Sequence, residues 1–171
     1  MYVPRLRRNE LVPEDTGIHA GLSDPKIVHG QFGRQVEAMV RVLDGDYKGT
    51  TFKEWFSFGV DKDTKEEFVR YGSPLYTALT MVTDNFDEVL DDEDLTDREY
   101  EKFLKSSVKK LDGVEVMGRV GIRQSKKNPE KKRNFLQPGM FGPYQDPDAL
   151  GDHLPDAEAE PAGAPAAPNF D

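Results

Sequence analysis

The segment from Val114 to Phe135 constrains the fold more than any other part of the chain. It opens with strict alternation, in which Val114, Val116, Val120 and Ile122 share one parity and Glu115, Met117, Arg119 and Arg123 share the other. Alternation at period two is typical of a half-buried β-strand. Because an apolar run resumes at Phe135 after a polar segment, we predict a β-hairpin with one face in the core and the other available to a partner.

The tip of this hairpin, residues 124–133, is called the basic finger here. Five of its last eight residues are Lys or Arg, arranged around an Asn128-Pro129 turn. A loop of this composition has no packing role, so we predict that it meets phosphate groups. The candidate phosphate-binding residues are Lys126, Lys127, Lys131, Lys132 and Arg133.

The net charge of −9 does not exclude a nucleic-acid partner, because the charges are segregated along the chain. Residues 102–133 contain 11 basic and three acidic residues, a local charge of +8. Residues 84–101 contain ten acidic residues and one arginine, and residues 145–171 contain seven acidic residues and no Lys or Arg. The acidic segments are therefore separate from a basic working surface.

Several function classes find no support in the sequence. The absence of cysteine removes disulfides, thiolate metal sites and thiol nucleophiles. His19, His29 and His153 lie in irregular segments without metal-site or nucleophile–base spacing, and neither a P-loop nor a dinucleotide fingerprint is found. We therefore predict no enzyme activity, no catalytic residue, no metal and no cofactor. No apolar run approaches about 18 residues, so we predict no membrane span and a cytoplasmic location, in a host cytoplasm if a phage encodes the chain.

Composition divides the chain into three parts. Residues 1–30 contain scattered Pro and Gly without sustained periodicity, which predicts an irregular N-terminal arm. Residues 31–144 hold the periodic segments and are predicted to form one domain. Residues 145–171 are rich in Pro, Ala, Gly and acids, which predicts a disordered acidic tail.

Within the domain the patterns predict mainly β structure with two helices. Strands are expected over residues 35–43 and 50–58, with a possible short third strand at residues 68–71. Ser73-Pro74 is typical of a capped helix start, and Thr96 with Glu99 forms a capping-box pattern before a second helix. The strand, finger and strand described above complete the domain.

Trp55 is the chain's single tryptophan, and strand parity directs it outward beside Lys53. An outward indole next to a cation can stack nucleic-acid bases. The competing interpretation is a partly buried structural tryptophan. Tyr47, in the turn beside Lys48, has the same two interpretations, and Phe135 is a further candidate for stacking.

This element order is expected for a five-stranded Greek-key barrel of the OB type, in which a helix precedes strand four. In that arrangement Tyr47 and Lys48 lie on one wall of a groove and the basic finger on the other. The predicted groove floor consists of Arg34, Arg41, Lys53, Trp55, Arg119 and Arg123.

With these motifs the chain resembles bacteriophage single-stranded-DNA-binding proteins. The resemblance rests on residues 33–58, including Asp46-Tyr47-Lys48-Gly49 and Trp55-Phe56-Ser57-Phe58, on the hairpin 119–135, and on the acidic tail that ends near Phe170. It implies sequence-tolerant coating of single strands in DNA replication, recombination or repair. It also implies that the tail, through Phe170 and Asp171, recruits replication or recombination proteins and competes for the groove when DNA is absent.

One departure from the resemblance concerns the chain's last residue. Asp171 follows Phe170, whereas such tails often finish on the aromatic residue itself. Two rival functions follow from the same patterns. One is a phage protein-protein interaction or host-takeover protein without nucleic-acid binding, and the other is an RNA or duplex binder on the same fold.

Overall fold

The computed structural model describes residues 11–146, which form a mainly β structure with three helices. The strands are β1 (Gly17–Gly30), β2 (Gly33–Val42), β3 (Thr51–Ser57), β4 (Gly59–Val60), β5 (Glu67–Phe68), β6 (Glu115–Gln124) and β7 (Lys132–Pro143). The helices are α1 (Pro74–Val82), α2 (Phe86–Leu90) and α3 (Asp97–Lys109). The mainly β prediction is confirmed, and the described part of the chain has one short helix more than the two expected.

Five strands form one antiparallel sheet in the order β3-β2-β1-β6-β7, while β4 and β5 pair separately. The two end strands of the sheet, β3 and β7, approach each other at one place. There the Leu136 backbone N–H donates to Glu54 Oε1 at 3.3 Å, and Arg133 Nη1 lies 3.5 Å from the Lys53 carbonyl oxygen. We call the gap between β3 and β7 the seam.

The central strand of the sheet is β1, so the predicted irregular arm over residues 1–30 is wrong for residues 17–30. Ile18, Ala20 and Leu22 are buried at period two. A bulge between Ser23 and Lys26 then changes the parity, and Ile27 rather than an even-numbered residue packs on the core. The bulge contains Asp24 at φ 52°, and it hides the strand from a period-two search. The part of the predicted arm at residues 1–10 lies outside the described residues.

The predicted parities of β2 and β6 are confirmed by burial. Val36, Ala38, Val40 and Val42 are all buried on one face of β2, and Val116 and Val120 are buried on β6. This face packs against the helices, whose contributions to the core include Leu75, Leu79, Leu104 and Val108. The opposite face of the sheet is therefore the outer face.

Both predicted helix starts are confirmed. Ser73 caps α1 through a hydrogen bond from the Tyr76 N–H, and Thr96 and Glu99 form the reciprocal capping box of α3. In the acidic segment between them, α2 buries Phe86 while Asp84, Asp87 and Glu88 remain exposed. The segment therefore lies over the domain with these carboxylates in solvent.

The predicted strand–finger–strand hairpin is formed by β6 and β7. Strand β7 continues to Pro143, beyond the segment that the sequence patterns assign to it, because an irregularity opposite Gly118 and Val120 accommodates additional β7 residues. Within residues 11–146, every helix is too short or too polar to cross a membrane. The predictions for the tail beyond Asp146, including disorder and partner binding by Phe170 and Asp171, lie outside the described residues.

Candidate nucleic-acid interface

Trp55 lies half-buried on the outer face of β3, between the inward-facing Glu54 and Phe56. Its indole N–H donates to Glu37 Oε1 at 3.1 Å, which fixes the orientation of the ring. The guanidinium of Arg133, at the base of the basic finger, lies 4.9 Å from the ring centroid. The outward orientation predicted for Trp55 is confirmed, and the finger base covers part of its face.

A second arginine–aromatic pair lies on the same hairpin. The Arg123 guanidinium is 4.2 Å from the centroid of Phe135, and Arg123 is the ladder partner of Arg133. Phe135 lies across Gly121, where an added Cβ would come within 2.6 Å of the ring. The glycine therefore lets the phenyl ring lie flat on the sheet beneath Arg123.

The basic finger is held by a compact turn. The Ser125 and Lys131 N–H groups donate to the Lys131 and Asn128 carbonyls, and the Gln124 side chain donates to the Pro129 carbonyl. The turn directs its lysines into solvent, since Lys126, Lys127, Lys131 and Lys132 are all exposed. A cavity of about 510 Å³ lies at the finger base, lined by Arg123, Gln124, Ser125, Lys131, Lys132 and Arg133.

Two further lysines lie near Trp55 on the outer face. Lys53 Nζ is 3.8 Å and Lys26 Nζ is 3.6 Å from Glu37 Oε2. The parity of β3 predicts Lys53 on the outer face beside Trp55. Sequence reasoning missed Lys26 because its strand was assigned to the irregular arm, although a bulge-tolerant pattern search would have found it.

The seam between β3 and β7 contains a cleft of about 390 Å³ that brings together both aromatic residues of these pairs. Trp55 and Phe135 line it with Arg123, and Arg70 and the start of α1 complete it. Glu54 also lines the cleft and is 9% exposed. The cleft thus combines stacking surfaces, guanidinium groups and one buried carboxyl.

Burial raises the pKa of the Glu54 carboxyl to about 7. The hydrogen bond from Leu136 N–H and the nearby charges of Arg133 and Arg123 oppose this shift, since each favours the ionised carboxylate. Burial lowers the pKa of Arg133, and the charge of Arg123 acts in the same direction. The carboxyl therefore titrates near neutral pH beside the two arginines.

Arg34 was predicted on the groove floor, but the structure places it in a network of hydrogen bonds that joins parts of the fold. Its Nε and Nη2 donate to both carboxylate oxygens of Glu67 at 2.7 and 2.8 Å, and its Nη1 and Nη2 donate to Glu101 at 2.7 and 2.9 Å. These hydrogen bonds raise the pKa of Arg34. Arg34 shares the even parity of buried Val36, which explains why it lies on the helix side of the sheet.

The position of Tyr47 also differs from the predicted one on the wall of the groove. Its ring is partly buried and packs against the hydrophobic core. Because β1 precedes the two predicted strands, the loop holding Tyr47 and exposed Lys48 joins the second and third strands, and the first–second loop is residues 31–32. Phe32 in that loop is 84% exposed, and the sequence analysis missed it.

The remaining predicted floor residues, Arg41 and Arg119, have contacts elsewhere on the protein. Arg41 is exposed on the outer face of β2, opposite Thr51. Arg119 donates from Nη1 to the Asp15 carbonyl at 2.8 Å and lines a separate cavity of about 640 Å³ with Met117, Met140 and Phe141. The cluster that the structure brings together is therefore smaller than predicted: Lys53, Trp55, Arg123, Arg133 and Phe135, with the finger lysines beyond them.

Within residues 11–146, no group of three or more His, Cys, Asp or Glu side chains has an arrangement that could hold a metal ion. Comparison with known proteins finds no family model that matches the chain and no curated protein with significant similarity. The site must therefore be interpreted from its own chemistry.

Proposed function

We propose that this protein binds single-stranded DNA with little dependence on sequence and without catalysis. The observation that carries the proposal is the juxtaposition of two arginine–aromatic pairs, Arg133 on Trp55 and Arg123 on Phe135, at the base of a finger with four exposed lysines. Flat rings accept any base by stacking, and cations track the phosphates.

Each group has a distinct part in this proposed mechanism. Trp55 and Phe135 stack bases, while the arginines either remain on the rings or turn toward phosphate when a base takes their place. Lys126, Lys127, Lys131 and Lys132 neutralise phosphates and release counterions. Because neither stacking nor phosphate contact reads a base edge, binding tolerates any sequence.

We infer further that the sheet is a partly open barrel of the OB type. The strand order β3-β2-β1-β6-β7, a helix before β6, and the approach of β3 to β7 support this inference. The loops that bind oligonucleotides in that fold are then residues 31–32 and the basic finger. Phe32 joins the candidate contacts, and Tyr47 and Lys48 leave the groove wall.

The fold inference and the finger together support a role like that of phage single-stranded-DNA-binding proteins in replication, recombination or repair. Recruitment of other proteins by the acidic tail remains part of this proposal, and its residues Phe170 and Asp171 are outside the described part of the chain.

A titration of labelled oligothymidine by fluorescence anisotropy, at two salt concentrations, tests the proposal. We expect saturable binding that weakens steeply with salt, and duplex DNA of equal length should compete less well because its bases are already stacked; single-stranded RNA is the second competitor. Absence of salt-sensitive binding to the oligothymidine would overturn the proposal. Stronger competition by RNA or duplex would redirect it to that nucleic acid.

A second candidate function, protein–protein interaction without nucleic acid, is favoured by the cavity beside Arg119. Met117 and Met140 line it and are 39% and 40% exposed. Exposed apolar surface of this kind often marks a protein contact. A partner that is retained after nuclease treatment and released when Met117 and Met140 are changed to Ser would support this candidate.

A further inference from the structure

The cleft at the seam has a chemical feature that sequence-tolerant binding does not use. Glu54 faces inward from β3, yet it lines the same cleft as Trp55 and Phe135 because the end strands leave a gap there. In the described part of the chain its carboxyl accepts one hydrogen bond, from Leu136 N–H to Oε1. The remaining acceptor capacity of the carboxyl therefore adjoins two aromatic rings that can hold a base.

Hydrogen-bonding edges distinguish the four bases at such a carboxyl. An ionised carboxylate offers two acceptor oxygens and no donor. Guanine has two neighbouring donors on its Watson–Crick edge, its ring N1–H and its exocyclic amino group, whereas each other base places an acceptor beside its donor. Guanine is therefore the best partner for the ionised Glu54.

We propose that the seam cleft is a subsite for a single base of the bound strand, and that Glu54 gives it a preference for guanine. This inference rests on the proposed single-stranded-DNA binding and deepens it. Trp55 and Phe135 stack the base, and the carboxyl reads its edge. The cleft volume of about 390 Å³ lies in the range of small-molecule sites.

The charges around Glu54 determine when the carboxylate is present. Arg133 on β7 and Arg123 on β6 favour its ionised form, Arg70 lines the same cleft, and burial favours its neutral form. A protonated carboxyl presents one donor beside one acceptor, which fits a neighbouring donor and acceptor on the edge of every base. The preference for guanine is therefore lost as the pH falls through about 7, the pKa of Glu54 in the free protein.

The experiment compares four labelled oligothymidines, one unchanged and three with a central guanine, adenine or cytosine. The full-length protein is titrated with each by fluorescence anisotropy at pH 8.5 and at pH 5.5. At pH 8.5 we expect the guanine oligomer to bind about fivefold to tenfold more tightly than the unchanged one. At pH 5.5 this advantage of guanine should disappear, because the protonated carboxyl fits the edges of all four bases.

Glu54→Gln replaces the carboxyl by an amide of the same shape with one donor and one acceptor. This substitution should abolish the guanine preference, so that the variant binds all four oligomers about equally at both pH values. Glu93→Gln makes the same charge change at an exposed residue in the acidic segment and should behave as the unaltered protein. Because the unaltered protein's own pH response is a separate readout, the test does not depend on the folding of the variant.

The outcomes separate the two proposals. Oligothymidine binding without any base preference at either pH overturns the guanine subsite and leaves the proposed function intact. A guanine preference that persists unchanged in Glu54→Gln also overturns the role of Glu54. Failure of every oligomer to bind overturns the proposed function and this inference together.

Discussion

This protein has two arginine clusters, and the guanidinium groups have different roles in them. Arg34 donates four hydrogen bonds to Glu67 and Glu101, and Tyr100 adds a fifth from its hydroxyl to Glu67 at 2.8 Å. Arg123 and Arg133 instead lie on aromatic rings at the base of the basic finger. The first cluster joins β2, β5 and α3, and the second leaves guanidinium groups beside an open cleft.

The comparison shows that strand parity and available partners decide what an arginine can do. Arg34 faces the helices, where carboxylates surround it, and its donors are almost all occupied. Arg123 and Arg133 face outward, where Glu54 is the one carboxyl close enough to influence the pKa of Arg133 among the described residues. A phosphate can therefore compete for the second cluster far more easily than for the first.

The largest expected effect is on stability, from Arg34→Met. Removing the guanidinium leaves Glu67 and Glu101 partly buried without their cation, so the free energy of unfolding should fall by about 3 kcal/mol. Urea denaturation measures this change. Arg41→Met, at an exposed residue of the same strand, should change it by less than about 0.5 kcal/mol. An unchanged stability in Arg34→Met, with a loss of DNA affinity, would reverse the assignment of the two clusters.

The next effect is a pH dependence of stability that originates at Glu54. Its folded-state pKa of about 7 exceeds the ordinary 4.5, so the folded state binds this proton more tightly than the unfolded state. The contribution is fully present below about pH 4.5 and is lost as the pH rises through about 7. The loss amounts to about 3 kcal/mol at most.

Urea denaturation of the unaltered protein and Glu54→Gln across this pH window isolates that contribution, because other groups titrate equally in both. The variant should lose less stability than the unaltered protein as the pH rises from 4.5 to 8.5. Parallel stability curves for the two proteins would show that Glu54 is not a buried titrating group.

Trp55→Ala should weaken oligothymidine binding by about tenfold or more, because base stacking on one aromatic residue is worth about 1–3 kcal/mol. Trp55→Phe keeps a stacking face and should recover most of the affinity. Tyr47→Ala provides the contrast, since that ring packs on the core. It should lower stability and leave affinity unchanged, whereas the opposite result would return Tyr47 to the groove.

The smallest expected effect is on the salt dependence of binding. The double variant Lys126→Gln, Lys127→Gln should reduce the slope of log affinity against log salt by about 0.7 for each phosphate that the finger no longer neutralises. Both side chains are exposed, so stability should not change. The matched pair Lys102→Gln, Lys109→Gln makes the same charge change on α3. An equal reduction of the slope in both pairs would mean that the finger has no special role.

The sequence predicted those parts of the fold in which one local rule holds over many residues. Strand β2 alternates without interruption, α3 carries a complete capping box, and the hairpin has a single basic turn. Strand β1 was missed because its bulge shifts the parity between Leu22 and Ile27 and places Pro25 within the strand. When the inward-facing parity changes within a strand, a search with a fixed period of two does not recognise the segment as a strand.

The candidate site was predicted in part for a related reason. Trp55, Lys53 and the finger follow from parity and composition, which are local. The partners of Arg34, the buried ring of Tyr47 and the inward carboxyl of Glu54 depend on which elements meet across the fold. Glu54 interrupts the Phe parity of β3, and a charged residue on an otherwise apolar face is a sequence signal that can indicate such a gap.

Trp55 offers the most direct test, because it is the chain's single tryptophan and its fluorescence reports on one place. Oligothymidine is added to the full-length protein while tryptophan emission and the anisotropy of a label on the oligomer are followed together. We predict saturable quenching of Trp55 emission that coincides with the anisotropy change and shifts to higher oligomer concentration with added salt. Binding detected by anisotropy with unaltered Trp55 emission would mean that DNA lies elsewhere on the protein, and the central claim would be wrong.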